Sequence, residues 1–123
     1  MSLEYGFDVE GDLLVVTTRG YDDDISEAVA YGEAILRCCL ENNCSRILMD
    51  ETEVTAVLDK IGQYQMVQRL LEQVPSQLSI AIVASPAHYE ETSFGTMVAE
   101  NRGIHVKLFT SMKLAKEWLL EQA

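Results

Sequence analysis

The order in which strand-like and helix-like segments alternate along the chain most constrains its fold. Residues 5–9 alternate apolar and polar side chains, which predicts a strand with one buried face. Residues 10–12, Glu-Gly-Asp, predict a tight turn. The continuous apolar and β-branched run at residues 13–18 predicts a second strand, covered on both faces. The chain is therefore expected to open with a β-hairpin.

Helices and strands alternate after this hairpin. Asp24 and Glu27 have capping-box spacing in front of the first helix, and Asn42-Asn43 is expected to end it. Its apolar stripe is predicted to be Ile25, Ala28, Val29, Gly32, Ile35, Leu36, Cys39 and Leu40. The later elements are predicted as a strand at residues 46–50, a loop that carries Asp50, Glu51 and Glu53, and a helix at about 59–74 with Ile61, Tyr64, Val67, Leu71 and Val74 on one face. A strand at 78–84 follows, and Ser85-Pro86 is predicted to cap and begin a third helix that ends at Gly103. A strand at 104–108 and a helix capped by Thr110 or Ser111 come last.

The predicted fold class is α/β, with a mixed five-stranded sheet in the order β-β-α-β-α-β-α-β-α. Strands that alternate with helices pair in parallel through right-handed crossovers. The length of 123 residues predicts a single domain over residues 1–123.

Charge and cysteine content restrict the function classes. Nine Lys and Arg against twenty Asp and Glu give a net charge of −11, which argues against nucleic acid and against an anionic membrane surface. The polar, acidic N-terminus does not resemble a signal peptide, so we expect a cytoplasmic protein. Cys38, Cys39 and Cys44 are then expected to be free thiols, with Cys39 in the core.

Acidic residues follow two predicted strands, at the edge of the sheet where ligands gather in α/β folds. Asp22, Asp24 and Asp50 are the candidates for a divalent cation, but helix capping explains Asp24, and we expect no metal site. The sequence contains no glycine-rich phosphate loop, no nucleophile elbow and no paired histidines. We therefore expect no cofactor, no catalytic residue and no enzymatic activity.

Two stretches resemble the STAS domain, the fold of anti-sigma-factor antagonists, and within it the SpoIIAA-like proteins. Residues 47–62 resemble a strand ending in Leu-Asp, a Val-Thr turn and an Asp-Ser-Ser-Gly helix start. Asp50 matches the strand-end Asp, and Asp59 and Gly62 match the outer residues of Asp-Ser-Ser-Gly if one residue is inserted before Asp59. Residues 99–119 resemble the last strand and helix of the SpoIIAA-like group.

The resemblance implies a phosphorylation switch that this sequence lacks. In the antagonists, a partner kinase phosphorylates the first Ser of Asp-Ser-Ser-Gly, and that position is Lys60 here. Thr52 and Thr55 are nearby hydroxyls that would substitute as a switch, although turn hydrogen bonding is the alternative that we favour.

The resemblance implies a non-catalytic regulatory module that binds a regulatory protein partner. Its expected partner-binding residues are Glu51, Thr52, Glu53, Thr55, Asp59 and Lys60. The alternative is a carrier of a small apolar ligand or lipid, since SpoIIAA-like proteins are compared with Sec14-type lipid-binding domains. A third hypothesis is a divalent-metal phosphoryl enzyme that uses Asp50 and residues 22–24. The sequence leaves a homodimer open.

Overall fold

The protein folds around a five-stranded mixed sheet, and the computed structural model describes residues 2–122. The strands are β1 (Leu3–Glu10), β2 (Leu13–Tyr21), β3 (Arg46–Ala56), β4 (Ser79–Ala84) and β5 (His105–Phe109). The helices are α1 (Ile25–Glu41), α2 (Lys60–Leu70), α3 (Tyr89–Asn101) and α4 (Met112–Glu121). Short 3-10 turns at Leu71–Gln73 and Pro86–His88 follow α2 and precede α3.

The strands lie side by side in the order of the sequence, β1-β2-β3-β4-β5. β1 and β2 form an antiparallel hairpin, whereas the pairs β2–β3, β3–β4 and β4–β5 are parallel. Each parallel pair requires a crossover connection, and α1, α2 and α3 provide these connections. The predicted mixed α/β sheet with an N-terminal hairpin is confirmed.

The two faces of the sheet pack against different helices. On β3, Ile47 packs in one cluster with Ile35 of α1, whereas Leu48 packs in another with Leu119 of α4. Successive side chains of a strand point to opposite faces, so α1 and α4 cover opposite faces. Ile80 of β4 contacts both the α1 cluster and the cluster built by α2 and α3. α1, α2 and α3 therefore form one helical layer on the same face.

β3 is longer than the sequence predicts. Its apolar run ends at Asp50, but its pairing with β2 continues to Ala56. Thr17 pairs with Asp50 and Arg19 pairs with Glu53, so β3 has one extra residue between these two pairs. This irregularity is a β-bulge, which shifts the alternation of side chains by one position. The polar segment predicted to be a loop is a strand because main-chain pairing does not depend on apolar side chains.

α1 begins where the sequence predicts. The Asp24 carboxylate accepts hydrogen bonds from the backbone N–H groups of Ser26 and Glu27 at 2.9 and 3.2 Å. These bonds satisfy two of the N–H groups that a helix start leaves without partners. The helix ends at Glu41, and Asn43 adopts a left-handed conformation with φ 54°.

The predicted buried faces of α1 and α2 are wrong at several positions. Leu40 is 76% exposed, whereas Tyr31, which the predicted stripe left out, is buried. On α2, Ile61 is 70% and Tyr64 is 40% exposed, and Gln63 takes a buried position instead. Helical periodicity assigns apolar residues to the buried face and polar residues to the exposed face. A polar side chain can nevertheless be buried when it is hydrogen-bonded, and the periodicity does not show this.

The starts of the last two helices differ in their capping. Ser85 makes no side-chain capping bond, and the 3-10 turn Pro86–His88 precedes α3, so the predicted cap is wrong. The Ser111 Oγ accepts a bond from the Leu114 N–H at 3.2 Å, which confirms the predicted cap of α4. Gly103 follows α3 with φ 90°, a conformation that glycine adopts without strain.

The three cysteines are free thiols, as the sequence predicts. Cys39 is buried, and its S–H donates to the Cys44 carbonyl at 2.9 Å. Burial raises the pKa of the Cys39 thiol to about 11, with Cys44 and Cys38 adding to the effect. A thiol in this state stays protonated and packs as a small apolar side chain.

Candidate functional site

A cavity of about 170 Å³ lies between the sheet and the helical layer of α1, α2 and α3. An apolar cavity of about 150 Å³ is large enough to hold one benzene molecule. The space in this protein therefore fits a molecule slightly larger than benzene.

The cavity walls are mostly apolar. Ile47 and Met49 of β3 and Ile80 and Ile82 of β4 form its floor, because alternate residues of a strand face the same side. The helical layer contributes further apolar side chains, among them Ile35, Leu36, Met66, Val67, Leu70 and Ala99.

A hydrogen-bonded group of three polar side chains lies at one end of the cavity. Glu51 follows Met49 by two residues on β3 and so faces the same side. The Tyr31 hydroxyl of α1 donates to the Glu51 Oε2 at 2.9 Å. The Tyr31 oxygen lies 2.6 Å from the Thr18 Oγ1, and Thr18 is the donor when the Tyr31 proton is directed at Glu51. β2, β3 and α1 each supply one member of this group.

The acidic side chains at this end have raised pKa values. Burial raises the pKa of Glu51 to about 7, and the neighbouring charge of Asp22 adds to the effect. Burial also raises the pKa of Asp22 to about 6, with contributions from the charges of Glu27 and Asp23. The pKa of Tyr31 lies well above its usual range because of burial and then the Glu51 charge. Close to neutral pH, this end of the cavity therefore changes its charge.

Two acceptor atoms beside this group have no hydrogen-bond partner within residues 2–122. They are the Asp22 Oδ1 and the Glu27 Oε1, and both atoms are buried. No ion pair of the described part of the chain includes Asp22, Glu27 or Glu51; those found are Arg19–Glu4, Arg46–Asp12 and His88–Glu91. The acidic end of the cavity thus has unused capacity to accept hydrogen bonds.

Gln63, which also lines the cavity, has a hydrogen-bond partner at each of its polar side-chain atoms. Its Nε2 donates to the carbonyls of Leu58 and Glu91, each at 2.7 Å. Its Oε1 accepts from the Gly95 N–H at 2.7 Å. These three bonds join α2 to α3 and leave Gln63 as a fixed part of the wall.

The residues predicted to bind a partner lie in two different environments. Exposed positions are occupied by Thr52, Glu53, Thr55, Asp59 and Lys60. The Glu51 side chain lines the cavity instead. Two further side chains beside the exposed group lie on α2, where Ile61 and Tyr64 are one turn apart.

The two predicted switch hydroxyls take part in bonds within the chain. The Thr52 Oγ1 donates to the Asp50 Oδ1 at 2.7 Å, and the Thr55 Oγ1 donates to the Gly20 carbonyl at 3.1 Å. This geometry favours the turn-bonding role for both threonines. Asp59 also has a structural bond, since its Oδ1 accepts from the Gly62 N–H at 2.8 Å and caps α2.

The candidate metal ligands do not share one site. Asp22 lines the cavity, Asp24 caps α1, and Asp50 accepts from Thr52. Within residues 2–122, no group of three or more Asp, Glu, His or Cys side chains is arranged to hold a metal ion.

In the same part of the chain, no helix is both long and apolar enough to cross a membrane.

Sequence reasoning missed three buried polar residues: Tyr31 and Gln63, which line the cavity, and Thr18, which bonds to Tyr31. Tyr31 lies three residues after Ala28 and four before Ile35, so helical spacing was a signal for its burial. Thr18 continues the alternation of the buried β2 residues, which was a second signal. Gln63 had no such signal, because its partners come from α3 and from the segment before α2.

Comparison with known proteins identifies similarity in fold. No family model matches the sequence, and no curated protein matches it significantly. Among solved structures, an anti-sigma factor antagonist from Mycobacterium paratuberculosis matches with a TM-score of 0.69 and 15% identity over 98% of this chain and 96% of that chain. A protein of the DUF3478 family with a SpoIIAA-like fold, from Shewanella loihica PV-4, matches with a TM-score of 0.59 and 18% identity over 96% and 94% of the two chains. The STAS-like, SpoIIAA-like fold suggested by the sequence is thereby confirmed.

Proposed function

We propose that this protein is a non-catalytic regulatory domain that binds another protein through one exposed surface. This interaction surface consists of Thr52, Glu53, Thr55, Asp59, Lys60, Ile61 and Tyr64. The observation that carries the proposal is the exposure of Ile61, at 70%, on the first turn of α2. Ile61 and Tyr64 form an apolar strip with charged side chains beside it, and such strips are typical of protein-binding sites.

The likeness in fold supports a regulatory role. One protein of similar fold is described as an anti-sigma factor antagonist. The segment that the STAS resemblance places at the phosphorylation site, from Asp59 to Gly62, is the start of α2, and its first three residues belong to the interaction surface.

Lys60 distinguishes this protein from the phosphorylated antagonists. A phosphoserine carries nearly two negative charges, whereas Lys60 supplies a positive charge at the matching position. Its ammonium nitrogen lies 5.6 Å from the centre of the Phe94 ring of α3, which holds the charge between α2 and α3. We infer that partner binding at this surface is not switched by phosphorylation at position 60, and that it favours an acidic partner group there.

Affinity capture with surface variants tests this function. Tagged wild-type protein, Lys60→Glu and Ile61→Ser are used to capture proteins from a lysate of the source organism. The control is Lys116→Glu, which makes the same charge change on α4, on the opposite face of the sheet. We expect one protein to be enriched by the wild type and the control and to be lost with both surface variants. Equal capture by all four proteins would contradict the proposed surface.

The cavity favours a second candidate function, the binding of a small apolar ligand. Its volume of about 170 Å³ suits a single ring or a short chain, but not a lipid acyl chain of ten or more carbons. Toluene is a suitable probe, because a ligand that binds only the folded state raises the unfolding temperature. An unfolding temperature that millimolar toluene leaves unchanged would argue against this candidate.

A further inference from the structure

We propose that the cavity binds a small amphipathic amine, with its ammonium group at Asp22 and Glu51 and its apolar part between the sheet and the helical layer. This inference rests on the second candidate function, and it specifies the head group that the ligand carries. Three observations support it. They are the side chains that line the cavity, the unused acceptor atoms at one end, and the lack of an ion-pair partner for Asp22 and Glu51 among the described residues.

The position of the free acceptors indicates where a ligand head group would lie. Gln63 has both of its polar groups occupied, and the Thr96 hydroxyl donates to the Thr92 carbonyl at 3.3 Å. The Tyr31 hydroxyl is likewise occupied by its bonds with Thr18 and Glu51. The charged acceptors that line the cavity are therefore the two carboxylates, Asp22 and Glu51, and the Asp22 Oδ1 is buried without a partner.

The charge at this end selects a cation with hydrogen-bond donors. The charge of Asp22 raises the pKa of Glu51, and Glu27 and Asp23 add further negative charge near Asp22. An anionic ligand would be repelled, and a ligand without donors would leave the Asp22 Oδ1 without a partner. An ammonium group is compact and offers up to three donors, and its hydrogen bonds to carboxylates are charge-assisted.

The surroundings of the carboxylates argue against a metal ion as the cation. Ca²⁺ and Mg²⁺ take about six or more oxygen ligands. Next to Asp22 and Glu51, the cavity continues into apolar side chains such as Met49 and Val57. An amine with an apolar part matches both the acidic end and these walls.

A series of ligands with one ring and different head groups tests the proposal. Benzylamine, benzyl alcohol, toluene and benzoate differ chiefly in the head group, which is cationic, neutral and donating, absent or anionic. Isothermal titration calorimetry on the full chain at pH 7 measures their affinities. We expect benzylamine to bind roughly ten-fold or more tightly than toluene, benzyl alcohol to lie between them, and benzoate not to bind.

Matched variants locate the head group. Asp22→Asn and Glu51→Gln should each weaken benzylamine binding by about ten-fold and change toluene binding by less than about two-fold. Glu117→Gln removes the same formal charge from an exposed position of α4, on the opposite face of the sheet, and should leave both affinities nearly unchanged. If one variant fails to fold, the ligand series on the wild type and the other variant decide the question.

The outcomes separate this proposal from the one it rests on. If toluene binds and benzylamine binds no more tightly, the head-group proposal is overturned and the apolar-ligand function stands. If none of the four compounds binds, both are overturned. A loss of benzylamine binding that is equal in Glu117→Gln and Asp22→Asn would show general attraction to an acidic protein, and it would also overturn the proposal.

Discussion

Replacing Glu51 by Gln should stabilise the protein above neutral pH and should change its stability little at acidic pH. The pKa of Glu51 is about 7 in the folded protein, against an ordinary value of 4.5. Because the folded state holds this proton more tightly than the unfolded state, the free energy of unfolding falls as the pH rises from about 4.5 to about 7. Each pH unit between the two pKa values lowers the free energy of unfolding by about 1.4 kcal/mol. The Glu51 carboxyl therefore destabilises the protein by about 3 kcal/mol at pH 8 and by less than about 1 kcal/mol at pH 5.

Urea unfolding at pH 5 and pH 8, followed by far-ultraviolet circular dichroism, measures this difference. The amide side chain introduced by Glu51→Gln keeps an oxygen that accepts the Tyr31 hydroxyl, so the hydrogen bond of 2.9 Å has a neutral replacement. Glu53→Gln is the control, because it removes the same formal charge from an exposed site on the same strand. The reasoning is refuted if Glu51→Gln gains the same stability at both pH values, or if the control gains as much at pH 8.

Two further substitutions test the packing of the cavity wall and the end of the hairpin, each measured by urea unfolding at pH 7. Gln63→Leu keeps a similar volume but removes the three hydrogen bonds of the buried Gln63 amide, so we expect a loss of about 3 kcal/mol. Gln68→Leu, at an exposed site, should change stability by less than about 0.5 kcal/mol. Gly20→Ala adds a Cβ at φ 107° against the Ser2 carbonyl and should lower the free energy of unfolding by about 1–3 kcal/mol. Gly6→Ala, where an added Cβ would have no atom within 4 Å, should lower it by less. Equal effects of the two substitutions in either pair would contradict this account.

The arrangement of the sheet could be predicted from the sequence because it depends on strong local patterns. Alternation at residues 5–9 and the apolar run at 13–18 define the hairpin, and the helices between the later strands require parallel pairing. The caps at Asp24 and Ser111 could be predicted for a similar reason, since the capping bond joins residues two or three apart.

The cavity could not be predicted because its polar residues find their partners far along the chain. Tyr31 bonds with Glu51, which is twenty residues later, and Gln63 bonds with Gly95, which is thirty-two residues later. The apolar run ends at Asp50, so the sequence does not show that β3 continues and that its alternation turns Glu51 inward. The ends of the predicted strands indicate where the acidic residues lie. The packing of α1 against the sheet then determines which of their carboxylates are buried.

The extra residue in β3 changes which residues of the strand face the interior of the protein. Before it, the odd-numbered residues Ile47, Met49 and Glu51 face the helical layer, and after it the even-numbered Val54 does. Glu53 consequently belongs to the exposed set. The bulge therefore keeps Val54 buried and Glu53 exposed, whereas regular alternation of the same residues after Glu51 would reverse these two orientations. A chain with one residue fewer here would need no bulge to keep both Glu51 and Val54 on the inner face.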